Sequence, residues 1–247
     1  MEKGSRFHLI DALRGAAVLS MIIYHFAWGL RNLVGIKWGS FSSTGSLIWQ
    51  QSICWTFILI SGFCFNLSKR PLKNGLLTLL GGVAVTLATV RFMPDAAIYF
   101  GVLIFHGSAM LLLLPLRKYL YKVPPYLGAA LSFLLFALLY GLPRRSIVFG
   151  LISLPRFLYS NYLTAYLGFP PYRFTSADYF PLLPWIFLFL TGFFLCGIVK
   201  KLKNTPKFLY WRLPFLEWTG RKSLIIYLAH QPLIYALTLL IIKIQGA

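Results

Sequence analysis

The feature that most constrains this chain is a series of long, continuously apolar segments. Each is long enough to cross a hydrocarbon core of ~30 Å as a helix that rises ~1.5 Å per residue. Because water cannot satisfy backbone groups there, a span must be a helix or part of a closed barrel, and unbroken rather than alternating apolar runs exclude the barrel. We therefore expect an all-α, polytopic transmembrane helix bundle of about seven spans in the cell membrane. The expected spans are 9–30, 45–67, 75–92, 96–115, 124–142, 180–199 and 223–243.

Composition supports this class of protein and excludes others. The chain is 58% hydrophobic and 12% charged, whereas a soluble domain carries about 25% charged residues. Its net charge of +19 comes mostly from Lys and Arg in the connections between spans, where the positive-inside bias and anionic lipid headgroups account for it. We expect membrane lipid as a partner and no nucleic acid. The three cysteines fall inside apolar segments and predict neither a disulfide framework nor a zinc site.

Loop charges predict how the chain crosses the membrane. Lys and Arg are more numerous in the amino terminus and the second, fourth and sixth loops than on the opposite side. The richer side belongs in the cytoplasm, so we expect a cytoplasmic amino terminus. The long connection 143–179 is then outside, and its stretch 147–168 predicts an interfacial helix or a re-entrant segment. An eighth span there is disfavoured because it would move the tail to the cytoplasm. With no internal repeat, we expect one domain, 1–247.

Three ionisable residues interrupt the first span: Asp11, Arg14 and His25. Such a residue costs several kcal/mol in a span unless it is paired or hydrated, so it marks a functional site by default. At ~100° per residue, Arg14 and His25 lie only ~20° apart in azimuth, and Asp11 lies ~40° from His25. All three therefore face one groove, with Arg14 and His25 separated by ~17 Å along the helix axis.

This groove has two interpretations. Arg14 can hold a phosphate bidentately, with Asp11 orienting its guanidinium, while His25 accepts a proton near neutral pH. A long phosphorylated carrier lying along the helix would then present its reactive end to His25. Alternatively, Asp11 and Arg14 form an intrahelical pair that anchors the helix end, and His25 is only hydrogen-bonded within the bundle. The residues alone leave both interpretations open.

Other polar groups lie in or beside later spans. His106 and His230 are each interpreted as a structural interhelical hydrogen bond or as a catalytic group, and haem ligation is disfavoured because no redox motif accompanies them. No metal is expected. Lipid attraction and topology explain most of a basic run before the last span, although Arg221 and Lys222 are also placed to meet phosphates. That run is Lys200, Lys201, Lys203, Lys207, Arg212, Arg221 and Lys222.

An ordered set of motifs resembles one family. The opening stretch, Arg6–Phe26, is similar to the start of the heparan-alpha-glucosaminide N-acetyltransferase catalytic-domain family. It also has the spacing of Arg, ten residues and His found in the wider transmembrane acyltransferase superfamily, including the polysaccharide O-acyltransferases. The further matches, in order along nearly the whole chain, are Phe57–Gly62, Phe100–Gly107, Asp178–Trp185 and Gly220–Pro232.

The resemblance implies an enzyme, a membrane-bound acyltransferase. It would move an acyl group, acetyl in the first place, from cytoplasmic acyl-coenzyme A to a saccharide-like envelope acceptor at the outer face. Carried over, Arg14 contacts the coenzyme A phosphates, with Asp11 and Arg221 beside it, and His25 is the catalytic base or acyl-relay residue. Asp178 lies on the acceptor side. His106, as a catalytic residue, and His230, as a donor-binding residue, line the same cavity.

One departure limits the carry-over. Eukaryotic members have their proposed active histidine in the outer loop after the first family helix, but here that loop, Arg31 to Ser46, contains none. The glucosamine acceptor and an acetyl-histidine intermediate are therefore not carried over. The alternative function is a small-molecule or lipid-carrier transporter or flippase without acylation chemistry, although the paired half-repeats of many transporters are missing. A purely structural subunit would not need the buried ionisable residues. N- versus O-acylation and a homodimer stay open.

Overall fold

The computed structural model describes residues 6–32, 34–35 and 43–245. Ten helices and one hairpin make up its regular elements. Half of the predicted first outer loop, Arg31 to Ser46, lies outside the described residues. The helices are α1 (His8–Asn32), α2 (Ser43–Leu67), α3 (Pro71–Phe92), α4 (Val102–Leu113), α5 (Arg117–Leu120), α6 (Pro125–Leu139), α7 (Tyr162–Leu167), α8 (Leu182–Lys201), α9 (Pro214–Arg221) and α10 (Ser223–Gln245); the hairpin pairs β1 (Ser146–Ile147) with β2 (Ile152–Ser153).

Six of these helices are long and apolar enough to cross a membrane: α1, α2, α3, α6, α8 and α10. They confirm six of the predicted spans and the all-α, multi-pass class of protein. The fourth predicted span, 96–115, is too long. Its helix α4 begins only at Val102, because residues 94–96 form a 3₁₀ turn and Phe100 has a positive φ of 55°. A helix of twelve residues spans only ~18 Å.

The long connection after α6 differs from expectation. Residues 147–168 fold into the β1–β2 hairpin, a 3₁₀ turn at Arg156–Leu158 and the short α7. Of the two alternatives for this stretch, a single interfacial helix is wrong, because positive φ angles at Val148 and Phe149 stop a right-handed helix at the hairpin tip. The re-entrant segment stays a prediction. Asn161 then starts α7 with a capping box, its side chain accepting from the Thr164 N–H at 3.0 Å.

The chain divides into two compact units, one formed by residues up to Phe57 together with those from Asn204, the other by Ile58–Lys203. In the second unit, α3 packs on α4 and α6 packs on α8. A hydrogen bond of 3.0 Å joins the buried hydroxyls of Ser132 and Thr191 across α6 and α8. The single domain over 1–247 stays a prediction.

In the first unit, α1 packs against α9 and α10. The contact with α9 is a close backbone approach, because a Cβ at Gly15 would lie 2.0 Å from the Leu216 carbonyl oxygen and one at Gly220 would lie 1.9 Å from that of Asp11. Only glycine allows this crossing. Helix α9 itself was not predicted, since its eight residues lie within the basic stretch that we interpreted as a loop.

Candidate functional site

The amino-terminal end of α1 carries a buried carboxylate between two arginines. Asp11 is 6% exposed, accepts a hydrogen bond from Arg6 Nε, and lies 3.7 Å from Arg14 Nη1. The Arg14 side chain keeps 22% of its surface exposed. The structure therefore contains the intrahelical pair of Asp11 and Arg14. That Asp11 also orients the guanidinium toward a phosphate stays a prediction.

A second buried acid, which the sequence analysis missed, lies on α9. Glu217 is 1% exposed and accepts from His8 Nδ1–H at 2.9 Å and from the Leu213 N–H at 3.0 Å; Arg212 Nε is 3.8 Å away. The hydrogen bond from His8, above all, lowers the pKa of Glu217 below its ordinary value, and the nearby Arg212 lowers it further. The available signal was the scarcity of acids, since the chain has only five.

Arg221 follows Gly220, which lies against the same end of α1. Gly220 lies against the Asp11 carbonyl and within 3.0 Å of the Gly15 nitrogen, measured from an added Cβ. Arg221 and Lys222 follow directly and are exposed. Basic residues of α1 and α9 thus lie near a helix end whose acids, Asp11 and Glu217, are already buried and paired. Such a surface favours a phosphorylated ligand.

The deeper part of α1 meets α10 through two histidines. The rings of His25 and His230 have centroids 5.2 Å apart. His230 is 3% exposed, and its Nδ1–H donates to the Tyr227 carbonyl, so its neutral ring presents Nε2 as an acceptor. Among the described residues no hydrogen-bond partner reaches that buried Nε2. We predicted His230 as a donor-binding residue, and the structure places it beside His25.

The remaining predicted site residues, His106 and Asp178, belong to the second unit. Both contact Val102, the first residue of α4. The His106 Nδ1–H donates to the Val102 carbonyl at 2.7 Å, and Asp178 Oδ2 accepts from the Val102 N–H at 3.0 Å. That these two residues share a cavity with His25 and His230 stays a prediction. No group of three or more His, Cys, Asp or Glu within the described ranges could hold a metal ion.

The fold and these clusters define a multi-pass membrane protein with ionisable side chains buried along its spans, an arrangement typical of a functional site in the membrane. Residues 6–232 match the family model described as "Heparan-alpha-glucosaminide N-acetyltransferase, catalytic". The chain belongs to this family, and membership supports an acetyltransferase-type activity, for which acetyl-coenzyme A is the donor in general. No curated protein and no solved structure matches the chain.

Proposed function

We propose that this chain is a membrane acetyltransferase that moves an acetyl group from cytoplasmic acetyl-coenzyme A to an amine or hydroxyl of a saccharide-like acceptor at the outer face. One observation carries the proposal: a single helix, α1, has the paired Asp11 and Arg14 at one end and, about 17 Å further along, a histidine packed against a second histidine.

The amino-terminal end of α1 is suited to the carrier's phosphates. Arg14 offers a planar guanidinium 3.7 Å from Asp11 with 22% of its side chain exposed, and the exposed Arg221 follows Gly220, which lies against the Asp11 carbonyl. Bidentate pairs of arginine and phosphate are strong and directional. Binding energy at this end would position the thioester at the other end of the groove, which is where positioning accelerates the chemical step.

The reactive end would handle one proton. His25 removes the proton from the acceptor N–H or O–H as that atom attacks the thioester carbonyl carbon. The new C–N or C–O bond forms, the C–S bond breaks, and the proton passes from His25 to the departing thiolate. General base catalysis of this kind contributes roughly 10²–10⁴-fold. His106 and Asp178 are assigned to the acceptor side of the reaction, and a homodimer stays a prediction.

The test is transfer of labelled acetyl from acetyl-coenzyme A to amino sugars and neutral sugars in proteoliposomes. We expect His25→Ala to lower turnover by at least ~100-fold. The matched control is Ile23→Ala, two residues away and 58% exposed, which should leave turnover unchanged. Turnover in His25→Ala equal to wild type would contradict the role of His25. Saturable sugar flux with no acetylated product would contradict the enzyme and favour the transporter.

A further inference from the structure

The amino-terminal end of α4 does not reach as far along the helix pair as the carboxyl-terminal end of its neighbour α3. The two helices run antiparallel in close contact, since a Cβ at Gly82 would lie 2.6 Å from the Ile104 nitrogen and one at Gly107 would lie 2.5 Å from the Leu79 nitrogen. This register places the start of α4 level with residue 84, so α3 continues to Phe92 for roughly eight residues, or ~12 Å. By its length and composition α3 can cross the whole membrane, and where it does so the start of α4 lies inside the membrane.

The connection 93–101 therefore descends into the membrane as irregular backbone. Such backbone is tolerated at that depth only where protein covers it or a hydrated cavity meets it. Residues 176–180, which precede α8, supply the cover. The Ala177 N–H donates to the Ala97 carbonyl at 3.1 Å, and the Phe180 N–H donates to the Phe100 carbonyl at 2.9 Å. We call 93–101 and 176–180 the paired segments.

Asp178 lies at the point where the paired segments meet α4. The first N–H groups of a helix have no partner within it, and the preceding residue, Gly101, has no side chain to cap them. The Asp178 carboxylate supplies that cap from the other segment, with Oδ2 3.0 Å from the Val102 nitrogen. A carboxylate is also favoured there by the helix dipole.

The same residue, Val102, orients a histidine. Its carbonyl accepts from His106 Nδ1–H at 2.7 Å, which fixes the tautomer of the buried ring. Val102 thus donates its N–H to Asp178 and accepts from His106 through its carbonyl. Moving the first turn of α4 would move the carbonyl that orients His106.

We propose that Asp178 is a positioning residue: its carboxylate fixes the first turn of α4 and thereby the orientation of His106, and it exchanges no proton with the substrate. This inference rests on the proposed function for the role of His106 on the acceptor side. It replaces the prediction of Asp178 as a catalytic group. What Asp178 must supply is a hydrogen-bond acceptor at one place, rather than a titrating acid.

Two substitutions separate these roles. Asp178→Asn keeps an acceptor oxygen for the Val102 N–H and removes the titrating group, whereas Asp178→Ala removes both. We expect Asp178→Asn to keep kcat within about threefold of wild type and Asp178→Ala to lower it at least about tenfold, with KM for acetyl-coenzyme A changed less than twofold in either. Equal loss in the two variants would overturn the proposal. Asp95→Ala, which removes an exposed acid from the same connection, is the matched control and should behave as wild type.

A second measurement does not depend on acetyl transfer. It can therefore contradict the positioning role of Asp178 whether or not the proposed function is correct. The chain has four histidines, and ¹⁵N-histidine NMR of the reconstituted protein reports the tautomer of each, with His106→Gln assigning the signal. We expect the Nδ1–H tautomer of His106 in wild type, Asp178→Asn and Asp95→Ala, and a shifted or broadened signal in Asp178→Ala. An unchanged His106 signal in Asp178→Ala would overturn the positioning role even in an active enzyme.

Discussion

The rings of His25 and His230 pack with their centroids 5.2 Å apart, although the two residues lie on the first and last helices of the chain. His230 is held through Nδ1 by the carbonyl of Tyr227, on the preceding turn of α10. Its Nε2 is buried with no partner among the described residues. Buried acceptors of this kind are normally satisfied, and in the proposed function an acceptor N–H or O–H would lie beside this pair.

If the rings of His25 and His230 act together in the reaction, the effects of substituting them on the free energy of activation will not be additive. We expect His25→Ala and His230→Ala each to lower kcat/KM by roughly 100-fold or more, and the double variant to lose little beyond the worse single variant. Two independent groups would instead multiply their losses. The measurement is kcat/KM of wild type, the two single variants and the double variant. A loss in the double variant equal to the product of the two single losses would contradict a shared role.

Arg14 should act on donor binding. Removing a hydrogen bond to a charged group costs about 1.5–3 kcal/mol, so Arg14→Ala should raise KM for acetyl-coenzyme A by roughly 10–100-fold, with a small change in kcat. Arg14→Lys should restore only part of the affinity, because an ammonium cannot bind bidentately. Arg91→Ala, in the last turn of α3, is the control and should leave KM unchanged. A large fall in kcat at unchanged KM in Arg14→Ala would contradict phosphate binding.

The crossing of α1 and α9 should tolerate no side chain larger than hydrogen. Gly15→Ala would place a Cβ 2.0 Å from the Leu216 carbonyl oxygen, so the helices must separate. We expect a loss of about 1–3 kcal/mol of stability, measured as a lower Tm in detergent. Ala16→Leu is the neighbouring control, since Ala16 is exposed, and its Tm should stay at the wild-type value. Equal Tm values for all three proteins would show that the helices do not approach this closely.

Acid should weaken the first unit through Glu217. Its pKa is lowered in the folded protein, mainly by the hydrogen bond from His8, so its contribution to stability is complete above the ordinary glutamate pKa. That contribution is lost as the pH falls through the lower, folded value. We expect the Tm of wild type to fall between about pH 7 and pH 3 by more than that of Glu217→Gln. Parallel Tm profiles would show that Glu217 is not the titrating group.

Helix periodicity explains what the sequence could predict. Long apolar runs identified the six spanning helices, and a 3.6-residue repeat placed Asp11 and Arg14 on one face, where the structure pairs them. The contact of His25 with His230 was beyond that reasoning. It depends on how α10 packs on α1, and the sequence separation of the two residues carries no such information.

Other features were missed for identifiable reasons. Helix α9 is short and surrounded by lysines and arginines, so its buried Glu217 looked like part of a loop. The start of α4 was placed too early because residues 96–101 are as apolar as a span, and hydropathy does not register the positive φ of Phe100. The β1–β2 hairpin was obscured in the same way, since its exposed tip residues Phe149 and Leu151 are apolar.

A sided acetyl-transfer assay tests most directly whether the protein moves acetyl across the membrane. Proteoliposomes are prepared with the amino terminus inside, labelled acetyl-coenzyme A is trapped in the lumen, and an amino sugar is supplied outside. We expect labelled product outside that depends on His25 and is lost when donor and acceptor exchange sides. Product formation that is indifferent to sidedness or to His25→Ala would contradict this expectation, as would sugar flux without acetylated product.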